Sequence, residues 1–183
     1  DMVSSLLPGI INQFTPQVEE VISQKTGVDR KLVKQAIAMA VPLIIAMLAK
    51  KSATPQGQTD LGNILSSQQP TGDLAESIGK FQPKANDPVL GQLFGDQSSQ
   101  ITSALGKSTG MDGSALMGMV APAVLGSLSQ TQQAQGLDAA GMAKMLQSEA
   151  KNLPSDQLSM INSMIAPPQA GGLMATIRRM FGM

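Results

Sequence analysis

Two long apolar stretches with a helical period dominate the hydrophobic pattern of this 183-residue chain. In residues 32–48, apolar side chains recur every three or four positions, at Leu32, Val33, Ala36, Ile37, Ala40, Val41, Ile44, Ile45 and Leu48. This spacing gathers them on one broad face, which predicts a buried helix. Each stretch contains one internal proline, Pro42 or Pro122, which predicts a kink and a freed carbonyl four residues earlier, at Ala38 or Gly118.

A Thr-Gly-x-Asp motif precedes each proline-containing stretch. A glycine just past a helix end can adopt the left-handed conformation, and an aspartate can cap the next helix, so the motif predicts a tight structural joint. We favour this interpretation over a ligand site. Its recurrence predicts a diverged internal duplication. The matching residues are Thr26, Gly27, Asp29 and Pro42 in the first copy and Thr109, Gly110, Asp112 and Pro122 in the second.

The rest of the chain predicts short helices and no strand, because no period-two alternation is long enough. The polar stretches KKSATPQGQ (50–58) and SQTQQAQG (129–136) predict loops. The expected fold is all-α, a multihelical globule built from two diverged copies of a short-helix unit with a helix–turn–kinked-helix joint. The predicted divisions are a first repeat at 1–80, a linker at 81–87, a second repeat at 88–166 and a Gly-hinged tail at 167–183.

The tail predicts an amphipathic helix. Its apolar face comprises Leu173, Met174, Ile177, Met180 and Phe181, and its polar face carries Arg178 and Arg179. Three placements stay open: packing on the protein's own core, docking on another subunit or partner, and binding at a membrane surface. Two arginines attract anionic lipid weakly, so the membrane placement is the least favoured.

Charge and composition narrow the classes of function. The chain has 13 basic and 13 acidic residues, and charged residues make up only 14%. A zero net charge argues against a nucleic-acid partner and eases association between copies. With no leader or spanning segment visible, we expect a cytoplasmic protein, leaving non-classical export open. The apolar run at 36–49 is short for a bilayer span and contains a proline, so membrane insertion is not expected.

The missing residue types argue against an enzyme. The chain contains no His and no Cys, which removes the usual bases, nucleophile partners and zinc ligands, so we expect no cofactor and no metal. GKSTG at 106–110 lacks the first glycine of a phosphate loop. Ser77-x-x-Lys80 and Ser148-x-x-Lys151 match a nucleophile pattern without its companion motifs. Ten of the 13 methionines follow residue 110, and methionine suits adaptable apolar surfaces.

Residues 87–130 contain Leu-Gly-x-Leu-Phe-Gly at 90–95, the Ser-Thr-Gly joint and Ala-Pro-x-Val-Leu-Gly at 121–126. On these motifs the stretch resembles the YidB-like bacterial proteins, the domain-of-unknown-function 937 family. Residues 6–50 resemble a more diverged version. The resemblance implies a bacterial source and a multihelical fold, and it brings no catalytic residues.

These observations lead to three hypotheses of function. The first is a non-enzymatic structural or interaction protein that self-associates, or binds another protein, through apolar Met-rich surfaces and terminal amphipathic helices. The second is a binding module for a small apolar ligand or a cell-envelope component, with a pocket beside the kinked helices. The third, least favoured, is an enzyme that uses only carboxylate, Lys or Ser chemistry.

Overall fold

Most helices in the first half of the chain begin where the sequence supplies a cap. The computed structural model describes residues 6–68, 72–82 and 88–165. Thr15 and Thr54 accept hydrogen bonds from backbone N–H groups at 3.3 and 3.0 Å, and a proline follows each of these caps. The helices of this half are α1 (Leu6–Asn12), α2 (Pro16–Thr26), α3 (Arg30–Lys51), α4 (Pro55–Ser66) and α5 (Leu74–Gly79).

The second half is also helical. Asp138 accepts a hydrogen bond from the N–H of Gly141 at 2.8 Å and so caps the ninth helix. No strand occurs in the described residues, and the prediction of an all-α multihelical fold is confirmed. The helices are α6 (Pro88–Phe94), α7 (Ser98–Thr109), α8 (Gly113–Gln135), α9 (Ala139–Lys151) and α10 (Ser155–Ile165), with a 3-10 turn at Gly95–Gln97.

Helix α3 lies at the centre of the fold. It packs against α1, α2 and α4 from its own half and against α6 to α10 from the other, most extensively against α9. A helix that is apolar on most of its surface requires such neighbours. By length and composition alone, α3 could cross a membrane, but 67% of its most apolar window is buried against the other helices.

A single cluster of buried side chains runs through both predicted repeats. Ile44 and Leu61 from the first half belong to the same cluster as Val124 and Leu146 from the second, and all four are fully buried. The predicted linker at 81–87 therefore does not divide the core into two separate clusters. The duplication itself stays a prediction.

The two polar stretches that predict loops are helical over much of their length. Helix α4 begins at Pro55, inside the first stretch, and α8 continues to Gln135, near the end of the second. Proline suits a first helical turn and glutamine has good helix propensity, so both segments extend the helices beside them. Helices α3 and α8 also continue through Pro42 and Pro122 without interruption.

Candidate functional site

A groove lies beside Pro42, between α3 and α10. We call it the Pro42 groove. Its volume is about 210 Å³, and Pro42, Met39 and Ile161 are three of its apolar side chains. The described residues that line it are Gln35, Ala38, Met39 and Pro42 from α3 and Asp156, Gln157, Met160 and Ile161 from α10.

Two exposed apolar side chains flank the Pro42 groove. Leu32 is 45% exposed and Met160 is 42% exposed, and they are the exposed large hydrophobic residues of the part of the chain that the structure describes. Leu32 shares a helix face with the groove, because positions 32, 35, 39 and 42 follow the helical period. Met160 lines the groove, and Leu32 lies one turn of α3 before the lining residue Gln35.

A second, smaller groove lies beside Pro122. This Pro122 groove has a volume of about 160 Å³. Helix α5 and the following Phe81 form its other wall. Met119 is only 3% exposed, whereas its counterpart Met39 is half-buried. The groove is lined by Gly118, Met119, Pro122 and Ala123 from α8 and by Leu74, Ser77, Ile78, Lys80 and Phe81.

The two Thr-Gly-x-Asp motifs have closely similar backbone geometry. Gly27 has φ 71° and ψ 17°, and Gly110 has φ 74° and ψ 12°. Each glycine N–H donates to the carbonyl four residues earlier at 2.8 Å. Asp29 accepts from the N–H of Lys31 at 3.3 Å, and Asp112 accepts from Ser114 at 3.0 Å and Ala115 at 3.2 Å. These residues are absent from the linings of both grooves and occupy helix ends.

The joints differ at two positions that the motif does not include. In the first joint, the Ser23 hydroxyl donates a hydrogen bond to the carbonyl of Val28. In the second joint, the matching residue is Gly106, where a Cβ would lie 2.9 Å from the carbonyl oxygen of Met111. Gly113 is tighter still, since a Cβ there would lie 1.8 Å from the carbonyl oxygen of Thr102. A glycine at the first helical position, where the other copy has Arg30, is the sequence signal for this close approach.

Most of the described methionines in the second half are buried. Met111, Met117, Met119, Met142 and Met164 are each at most 5% exposed. Their flexible thioethers fill gaps in the core, which is a common use of methionine. Among the described methionines of this half, Met160 alone is exposed and Met145 is half-buried.

A buried carboxyl joins the two halves. Glu149 of α9 is 4% exposed, and its Oε1 has no hydrogen-bond partner among the described residues. Burial raises the pKa of Glu149 above its ordinary value, while hydrogen bonds from the backbone N–H groups of Leu6 and Leu7 act in the opposite direction. The carboxyl group thus holds the first turn of α1, a role without a sequence signal.

The described Ser-x-x-Lys residues lie at exposed or half-buried positions. Ser77 and Lys80 are exposed at the edge of the Pro122 groove, and the Lys80 ammonium lies 3.1 Å from the Glu76 carboxylate. Lys151 is exposed. Within the described ranges there is also no cluster of three metal-binding acidic, His or Cys side chains.

The predicted interaction tail lies outside the described residues. This applies to its apolar residues Leu173, Met174, Ile177, Met180 and Phe181, and to Arg178 and Arg179. The described chain ends with α10, which is held by contacts with α3 and α7 and by a hydrogen bond from the Gln100 amide to the carbonyl of Met164 at 3.3 Å. The tail therefore follows directly from one wall of the Pro42 groove.

Comparison with known proteins supports the sequence resemblance. The model of a family described as a bacterial protein of unknown function, DUF937, matches residues 9–131. No curated protein and no solved structure matches the chain. The matched range contains both joints and both prolines, whereas α9 and α10 lie beyond it. One wall of the Pro42 groove thus comes from outside the region that the family model covers.

Proposed function

The chain belongs to the bacterial family of unknown function DUF937. We propose that it is a non-enzymatic protein that self-associates through the Pro42 groove. The observation that carries the proposal is the position of Leu32 and Met160. Met160 lines the groove, and Leu32 lies on the same face of α3, one turn before the lining residue Gln35, so a partner that covers this face would remove both side chains from water.

The charge balance supports association between identical copies. The formal net charge is zero and only 14% of residues are charged, so two copies repel each other weakly. Asp156 is the one charged side chain among the described residues that line the groove. An interface with an apolar centre and few charges has the composition expected of a contact between subunits.

The residue types of the chain favour a non-enzymatic role. The sequence contains no His or Cys, and Lys80 is paired with Glu76. The remaining acids are scattered, and the buried carboxyl of Glu149 is used to hold α1. A structural or interaction role needs none of this chemistry.

The test is a molecular mass measured by light scattering across a concentration series. We expect the native chain to exceed its monomer mass of 19.0 kDa, and the double variant Leu32→Ser, Met160→Ser to return to the monomer. The matched control is Lys34→Ser, Asn162→Ser, which changes exposed residues on other faces of the same two helices. A native chain that stays monomeric at every concentration would overturn the proposal, as would equal masses for the two double variants.

A second candidate function is the binding of a small apolar ligand. It is favoured by the presence of a groove beside each of the two prolines. Their volumes of about 210 and 160 Å³ are below the roughly 300–1,000 Å³ of most ligand pockets, so only a small or partly exposed ligand fits. Native mass spectrometry tests this function: an adduct that is lost in Ala38→Trp supports it, and bare protein in all preparations counts against it.

A further inference from the structure

We propose that the Pro42 groove binds residues 173–181 of a second copy of this chain. This inference rests on the proposed self-association and names the segment that enters the groove. The segment lies outside the described residues, so its amphipathic character is taken from the sequence. An amphipathic helix that lays its apolar face into an apolar groove is a common mode of recognition.

The apolar faces of groove and segment are complementary. In a helix, Leu173, Ile177 and Met180 lie at the i, i+4 and i+7 positions that usually anchor such a contact. The groove offers Met39, Met160 and Ile161, of which Met160 is exposed, and the exposed Leu32 lies one turn of α3 before its lining residue Gln35. Flexible methionines on both sides can adjust to each other's shape. Docking would cover the exposed apolar side chains on both surfaces.

Charge also fits the segment to this groove. The segment carries Arg178 and Arg179 on its polar face and has no acidic residue. Asp156, in the first turn of α10, is exposed at the groove and has no opposite charge within the salt-bridge distance among the described residues. A guanidinium group beside this carboxylate would fix the orientation of the helix, which is the usual contribution of charges at the rim of an interface.

The length of the connection from α10 permits exchange between copies. Residues 166–172 read Ala-Pro-Pro-Gln-Ala-Gly-Gly. Seven residues reach at most about 25 Å, so the segment can reach a groove on an adjoining copy. Exchange of an identical element between protomers is a low-cost route to a dimer. The zero net charge of the chain eases the approach of two copies.

Disulfide trapping in the full-length chain tests the inference, because the native sequence contains no cysteine. One copy carries Met160→Cys, and a second copy, lengthened by an affinity tag, carries Ile177→Cys. Oxidation of the mixture should yield the mixed dimer, since a disulfide needs the two Cα atoms within about 7 Å. The matched control pairs Asn162→Cys, on another face of α10, with the same Ile177→Cys partner and should give little mixed dimer.

The double variant Met160→Cys, Ile177→Cys in one chain separates exchange from folding back. Dimers and larger species joined between positions 160 and 177 support exchange. A monomer closed by an internal disulfide would overturn it and place the segment on its own chain. If the native chain self-associates but neither combination forms the 160–177 bond, this inference fails while the proposed self-association stands. A native chain that is monomeric by light scattering overturns both.

Charge reversal provides a second readout. Asp156→Arg in the receiving copy should lower the initial rate of mixed-dimer formation about two- to fivefold, the range expected for an exposed ion pair. Arg178→Asp, Arg179→Asp in the copy that donates the segment should restore the rate with Asp156→Arg and lower it with native Asp156. If all four pairings of native or variant receiving copy with native or variant donating copy react at equal rates, the arginines do not lie beside Asp156 and the assigned orientation of the segment is wrong.

Discussion

The two proline-containing helices carry the same local pattern but have different surroundings. In α3, Met39 and Pro42 lie beside α10, which leaves Met39 half-buried and Leu32 and Met160 exposed. In α8, Met119 and Pro122 lie beside α5 and Phe81, and Met119 is buried. A groove lies beside each proline, and the two grooves differ in the helix that forms the second wall and in how much apolar surface is exposed there.

The joints that precede these helices differ in a similar way. In the first joint, the Ser23 hydroxyl donates a hydrogen bond to the carbonyl of Val28, and Arg30, the first residue of α3, has an exposed side chain. Gly106 and Gly113 stand at the matching positions of the second joint, where the backbones of α7 and α8 approach closely. The second joint is therefore the less tolerant of substitution.

The largest expected effect comes from adding one methyl group to the second joint. Gly113→Ala would place a Cβ 1.8 Å from the carbonyl oxygen of Thr102. Because this oxygen belongs to the backbone, a change of side-chain rotamer cannot relieve the clash. We expect the free energy of unfolding to fall by about 3 kcal/mol or more, the upper part of the range for overpacking. Urea denaturation measures it. Arg30→Ala at the matching exposed position should change stability by less than about 0.5 kcal/mol; equal effects would contradict the difference between the joints.

The next effect compares the two methionines that precede the prolines. Met119→Ala removes a side chain that is 3% exposed, and we expect a loss of about 2–3 kcal/mol. Met39→Ala removes a half-buried side chain at an open groove, and we expect about 1 kcal/mol or less. Both values come from denaturant titrations of monomeric protein at low concentration. A larger loss for Met39 would mean that the Pro42 groove is the more tightly packed of the two.

A smaller effect tests how the halves are joined. Burial raises the pKa of Glu149, so the folded protein keeps a proton that the unfolded chain releases near its ordinary value of 4.5. Stability from this group is therefore highest at low pH and falls as pH rises through the raised pKa. Glu149→Gln keeps an acceptor for Leu6 and Leu7 and removes the ionisation.

Thermal melting between about pH 4 and pH 8 measures this dependence. The melting temperature of Glu149→Gln minus that of the native chain should be smallest at pH 4 and should rise toward neutral pH. Glu20→Gln, which changes an exposed acid on α2, is the control. A difference in melting temperature that is constant across the pH range, or the same pH dependence in the control, would show that Glu149 has the same pKa in the folded and unfolded chain.

The sequence predicted the features that local chemistry determines. The apolar period of α3, the caps at Asp29 and Asp112 and the left-handed Gly27 and Gly110 all follow from rules that involve neighbouring residues. The polar stretch at 50–58 predicts a loop, but Pro55 is the first residue of α4, because a proline after a capping threonine suits the first helical turn.

Features that depend on distant contacts could not be predicted in the same way. The sequence suggested a pocket beside each proline, but it did not indicate that α10 forms one wall and α5 the other. It also gave no reason to distinguish Leu32 from the buried residues of its own stretch, or to place Glu149 beside the start of α1. Each of these depends on which helices pack together, and helix packing joins residues far apart in the sequence.

We propose that the copies meet at the Pro42 groove and not at the Pro122 groove. Sedimentation equilibrium on two full-length variants tests it most directly: Ala38→Arg places a long charged side chain at an exposed position of the first groove, and Ser77→Arg does so at the second. With circular dichroism unchanged, the account predicts a monomer of about 19.0 kDa for Ala38→Arg and the native mass for Ser77→Arg. Native mass in Ala38→Arg, or a monomer only in Ser77→Arg, would contradict it.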